Sequence, residues 1–117
     1  MSNHPHLPRS IRSSRPKRIV SHGQLLCQRT SVKVGSPAWF AWLDDAALFS
    51  YFDSRSSYRI SVRKEKRGHQ SYWYGYLKKA PKLHKVYIGK SGSLTLERLQ
   101  TICDLLVARA KAQGQQR

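Results

Sequence analysis

Negative charge is what this sequence has least of. Six Asp and Glu stand against 22 Lys and Arg in 117 residues, and none of the six precedes Asp44. The formal charge of +16 exceeds what solubility requires, so the folded chain repels itself and a polyanion would relieve the repulsion. Cysteine is nearly as scarce. Cys27 and Cys103 lie far apart, with no further cysteine or paired histidine at metal-ligand spacing, so neither a zinc site nor a disulfide framework is indicated and two reduced thiols are the simplest account. No apolar run approaches the roughly 18–20 residues that span a bilayer, and Met1 to Pro8 lacks the apolar stretch of a secretory signal. The expectation is a soluble cytoplasmic protein with no membrane partner. The Arg- and Ser-rich start does have the crude composition of an organelle transit peptide, but Pro5, Pro8 and Pro16 interrupt any amphipathic helix there. At this length, with 39% hydrophobic residues, the chain buries one modest core, which excludes a multi-domain enzyme.

Positive charge, by contrast, is concentrated. Residues 58–90 hold ten Lys or Arg against Glu65 alone, together with six aromatic residues. Residues 1–18 carry Arg9, Arg12, Arg15, Lys17 and Arg18 among three prolines and few apolar groups, too few to offset the entropy of ordering. Ile19 to Lys33 has no clear period. The division expected is a flexible basic arm over 1–33, one α+β domain over 34–112 and a frayed tail over 113–117.

Local signals sharpen at Ser36-Pro37, a favoured N-cap followed by a proline in the first turn. Trp39, Trp42, Leu43 and Ala46 follow at helical spacing, predicting a short amphipathic helix that ends near Leu48 to Tyr51, with a loop over Asp53 to Ser57. The period then changes to two. Tyr58, Ile60 and Val62 alternate with Arg59, Ser61 and Arg63, Lys64 to Gln70 reads as a hairpin connection, and Ser71 to Leu77 is rich in strand-favouring rings. After a turn at Lys79 to Lys82, Leu83 to Ile88 alternates again. Leu94, Thr95 and Leu99 have the spacing of a hydrophobic staple around an N-cap, and Leu99, Ile102, Cys103, Leu106 and Ala110 form the apolar face of a second helix. The fold class expected is α+β: a three-stranded antiparallel sheet packed on the C-terminal helix.

Parity sorts the strand residues. Ile60, Val62, Val86 and Ile88 must face inward, because the opposite choice buries Arg59, Arg63 and Lys85 without partners. Trp73, Gly75 and Leu77 join them, Gly75 permitting close approach of the helix. The outer face then carries Arg59, Ser61, Arg63, Tyr72, Tyr74, Tyr76, Lys85 and Tyr87. Cations neutralise phosphates, while tyrosine hydroxyls bond phosphates or base edges and the rings stack on unpaired bases. The candidate nucleic-acid-binding residues are Arg59, Arg63, Tyr72, Tyr74, Tyr76, Lys78, Lys85, Tyr87 and Lys90. Alternatively, Tyr72 and Tyr76 lie under the first helix, whose tryptophans need a surface to pack on.

The segments Ser36–Leu43, Val62–Glu65, Tyr72–Tyr76, Lys82–Ser91 and Leu94–Leu99 resemble a small bacterial domain found as an N-terminal appendage of LuxR/MalT-type transcription regulators. The sheet-plus-helix part is similar to the arm-type DNA-binding domain of tyrosine recombinases. Over residues 34–108 the resemblance implies a DNA-associated module with strands in the major groove at Arg59 to Arg63, Tyr72 to Tyr76 and Lys85 to Tyr87; it carries no catalytic role.

Enzymatic readings find little. His69, His84 and the adjacent Asp44-Asp45 have no spacing that fixes a catalytic geometry, since neighbours on a helix point about 100° apart. Gly89-Lys90-Ser91-Gly92-Ser93 lacks the frame of a phosphate-binding loop, although Lys90 can still touch a backbone phosphate. No catalytic residue, metal, cofactor or small-molecule substrate is expected. The expected partner is nucleic acid, DNA favoured over RNA, the alternative being a protein-interaction module without nucleic-acid contact.

Overall fold

The computed structural model describes residues 18–27 and 30–115, apart from the side chains of 113–115. The chain runs β1 (Arg18–Ser21), β2 (Gln24–Cys27), β3 (Thr30–Lys33), α1 (Pro37–Asp45), β4 (Leu48–Asp53), β5 (Tyr58–Arg67), β6 (Gln70–Lys79), β7 (Lys82–Gly89), a single 3-10 turn (Ser91–Ser93) and α2 (Leu96–Gln115). The sheet has seven strands in the order β3-β2-β1-β4-β5-β6-β7. It is mixed, because β1 lies parallel to β4 while every other pair is antiparallel.

This corrects the expected three-stranded antiparallel sheet. Three of the extra strands, β1 to β3, come from Arg18–Lys33, a stretch counted with the basic arm; residues 1–17 of that arm lie outside the described residues. These strands have four residues each, and Val20 and Leu25 are the only fully buried side chains they contribute, too few to show a period. Their hairpin turns at His22-Gly23, both at positive φ (54° and 78°), as the tight two-residue hairpin demands. Histidine is a rare first residue for that turn, so the punctuation is hard to read. The fourth extra strand, β4, lies where the first helix was expected to end. In β4, Phe49, Tyr51 and Asp53 are buried while Leu48, Ser50 and Phe52 face outward, an alternation masked by a run of rings. The helix stops at Asp45, and Ala46 is already extended.

All the large buried side chains lie on one face of the sheet. Ile60, Val62, Trp73, Leu77 and Ile88 are buried there with Val20, Leu25, Phe49 and Tyr51, and Val86 packs against them. The helix α2 crosses this face over β6 and β7, with Leu99, Ile102, Cys103, Leu106 and Ala110 buried against it. Gly75 is where the contact is tightest: a Cβ there would stand 2.8 Å from Ile102 Cγ2 and 3.3 Å from Leu106 Cδ1. Thr95 caps α2, its Oγ1 accepting from the amide of Arg98 at 3.2 Å, as Ser36 caps α1 by accepting from the amide of Trp39 at 3.2 Å.

The helix α1 shares the same face. Trp39 is fully buried, lies edge-on to Phe49 at 5.4 Å between centroids, and donates its indole N–H to the carbonyl of Leu94 at 2.8 Å. Trp73 satisfies its own indole on Ser91 Oγ at 2.9 Å. Lys64 comes from the core side of β5, lies over the Trp73 ring at 5.3 Å and donates to the carbonyls of Leu43 and Asp44 at 2.9 and 3.1 Å. A cation thus closes the C-terminal end of α1, where the helix dipole and the orphan carbonyls favour it. At the sheet edge, Arg109 and Arg98 of α2 donate to the β7 carbonyls of Lys85 and Ile88, which blunts that edge against further strand pairing. No helix among the described residues is long and apolar enough to cross a membrane.

Candidate nucleic-acid interface

With both helices on one side, nothing among the described residues covers the other face of the sheet. Strand register sets its contents. Ser61 stands opposite Tyr76, Arg63 opposite Tyr74 and Glu65 opposite Tyr72; Tyr74 in turn stands opposite Tyr87, and Tyr76 opposite Lys85. Arg59 lies further along β5, opposite Phe52 of β4, and Lys78 lies at the far end of β6, opposite Leu83. A register shift between Trp73 and Tyr74 passes over Ile88, so that Ile88 and Gly89 are both buried while the pairing continues to Gly89.

The rings and cations of this face interlock. Tyr87 is half exposed and approaches Tyr74 at 5.5 Å and Tyr72 at 6.0 Å between centroids. Lys85 Nζ lies 4.4 Å from the centroid of Tyr74 and 5.5 Å from that of Tyr76, Arg63 lies 5.4 Å from Tyr76, and Arg67 lies 5.7 Å from Tyr74. Such contacts are worth about 0.5–1 kcal/mol each at exposed sites, enough to bias the long side chains toward the rings. The possibility that Tyr72 and Tyr76 sit beneath α1 is thereby corrected: they are half-buried by neighbours on their own face, and α1 is on the other side.

Eight of the nine candidate residues therefore share one surface: Arg59, Arg63, Tyr72, Tyr74, Tyr76, Lys78, Lys85 and Tyr87. Lys90 sits past the end of β7, exposed, at the head of the 3-10 turn. Two participants were missed. Arg67 and Glu65 belong to β5, which runs on to Arg67, so that the expected connection over Lys64 to Gln70 shrinks to Gly68-His69. The signal was present, since the outward parity of residues 59, 61 and 63 continues through 65 and 67.

Glu65 is the face's carboxylate. Its Oε2 accepts from the Tyr76 hydroxyl, and its Oε1 accepts from Arg67 at 3.0 Å and Lys85 at 3.2 Å. The Tyr76 hydrogen bond, aided by Lys85 and Arg67, holds the Glu65 carboxyl below its ordinary value. Burial and the same carboxylate push Tyr76 up, and the bonds to Glu65 and Tyr76 push Lys85 up. All three stay in the protonation states that make the cluster cohere. Away from β5–β7 the face changes character: Ile19, Leu26, Leu48 and Phe52 replace the charged side chains.

Burial pushes the Cys103 thiol up to about 11, so it stays protonated inside the core. His69 is exposed in the β5–β6 turn, Asp44 and Asp45 are exposed at the end of α1, and the described residues contain no group of three His, Cys, Asp or Glu able to hold a metal. No family model matches the chain, and neither the curated proteins nor the solved structures contain a match.

Proposed function

We propose that this chain binds nucleic acid, duplex DNA above other forms, through the open face of β5–β7. The observation that carries the reading is that both helices pack on one side of the sheet and leave uncovered, among the described residues, the side bearing Arg59, Arg63, Arg67, Lys78, Lys85 and four tyrosines. A protein of this charge gains by surrendering phosphate counterions, and the cations stand in ordered rows that can follow a backbone. Two strand spacings, about 10 Å, match a major groove about 12 Å wide, and alternate side chains along a strand can reach its floor.

Duplex is favoured over single strands by the state of the rings. Tyr72, Tyr74 and Tyr76 are half-buried: Tyr87 packs on Tyr72 and Tyr74, and cations lie over Tyr74 and Tyr76, so the ring faces are engaged within the surface. Stacking on unpaired bases needs the faces. Among duplexes, the deep and narrow major groove of RNA admits no sheet.

The test is a fluorescence anisotropy competition between duplex DNA, single-stranded DNA and structured RNA at several salt concentrations. Duplex DNA is expected to compete best, and Arg59→Ala with Arg63→Ala to weaken binding about tenfold or more and flatten the salt slope by about 2. Binding without salt dependence, or a double variant that binds as well as the parent, overturns the assignment.

A further inference from the structure

The position of Glu65 conflicts with a surface built only to attract phosphate. The other acidic residues are elsewhere: Asp44 and Asp45 on α1, Asp53 on the core side of β4, Glu97 and Asp104 on α2. Glu65 alone stands on the open face, on β5 opposite Tyr72, and draws in two cations and a hydroxyl from β5, β6 and β7. A guanidinium, an ammonium and a phenol converging on one anion is the donor set that a backbone phosphate would take.

We propose that Glu65 is an internal competitor for phosphate. It occupies with its carboxylate the anion position that Tyr76, Lys85 and Arg67 form, and so restrains binding to nucleic acid of arbitrary sequence. The inference rests on the nucleic-acid reading of this face. Stability is a poor alternative reason for the cluster, because Arg67 and Lys85 are 55% and 40% exposed and such surface pairs contribute about 0–1 kcal/mol. Its effect on a polyanion is larger. A phosphate approaching this point meets a like charge and must also draw two cations from an existing partner, whereas Arg59, Arg63 and Lys78 are tied to no carboxylate among the described residues. The cations not tied to a carboxylate thus lie to one side of Glu65 along the strands, while around Glu65 itself Arg67 and Lys85 are already engaged.

The experiment compares Glu65→Gln with the parent in the full chain, on mixed-sequence duplex DNA across a salt series. The glutamine keeps the shape and an acceptor for Tyr76 and removes the charge. The expected result is about tenfold tighter binding at low salt and a salt slope steeper by about 1 to 2, as Lys85 and Arg67 become available to phosphates. Glu65→Asp, which keeps the charge, is expected to bind no tighter than the parent. Thermal melts check the fold of each variant, and Glu65→Ala is read in the same way should the glutamine variant fail to fold. Parent binding with a glutamine variant that binds equally or more weakly overturns the role of Glu65 and leaves the face assignment standing. An equal gain in the aspartate variant also overturns it, since packing rather than charge would then be responsible. If neither parent nor variant binds, this inference falls together with the reading it rests on.

Discussion

Asp53 is the charged side chain that the core accepts, only 4% exposed, and its carboxylate is satisfied from its own turn. Oδ1 accepts from the Arg55 amide and Nε, both at 3.0 Å, and Oδ2 accepts from Arg55 Nη2 at 3.1 Å and Ser56 Oγ at 3.2 Å. Arg55 extends the same guanidinium to Asp104 of α2 at 3.1 Å, so one residue pins the β4–β5 turn to the helix. The Arg55 hydrogen bonds hold Asp53 below its ordinary value although burial opposes them. A depressed carboxyl contributes stability that is fully present above the ordinary aspartate range and is lost as the pH falls through the lower folded value. Asp53→Asn is expected to destabilise the protein by roughly 1–3 kcal/mol at neutral pH. The gap should shrink in acid. Urea denaturation of both proteins at pH 7 and near pH 3 checks this, and a gap independent of pH would remove the charge from the account.

At the scale of elements, the join between α2 and the sheet is set at Gly75, where Ile102 and Leu106 come down onto bare backbone. Gly75→Ala should push the helix off β6 and lower stability by about 1–3 kcal/mol, the usual result of overfilling a packed core. A thermal melt reads it, and an unchanged midpoint would mean that α2 has room to shift. This contact was legible in the sequence, as were the caps at Ser36 and Thr95 and the inward parity of Ile60, Val62, Trp73, Leu77 and Ile88, because each follows from a rule acting over a few neighbouring residues. The hairpin at His22-Gly23 and the strand β4 were not. Each offers two or three inward side chains and weak punctuation, so its strand character depends on what it pairs with. The residue Lys64 illustrates the same limit: it has the inward parity of Val62, yet its charge is satisfied only because the end of α1 comes to it.

For the molecule as a whole, 22 basic residues against six acidic ones make self-repulsion a standing term. Raising salt from about 50 to 500 mM should increase the melting temperature by roughly 5 °C, since screening relieves repulsion more than it weakens the few exposed ion pairs. A melting point that falls with salt would show that specific pairs, the Glu65 and Asp53 clusters, outweigh the net charge. The sequence by itself determined the two faces of β5 to β7, the caps and the core side of α2, because alternation, capping and the cost of burying an unpaired charge all operate locally. Only the tertiary structure decided that the sheet has seven strands, that α1 joins α2 on the core side, and that Glu65 meets Tyr76, Lys85 and Arg67. These depend on pairings between distant segments, above all the parallel alignment of β1 with β4, and no local pattern encodes which distant strand a short segment will find.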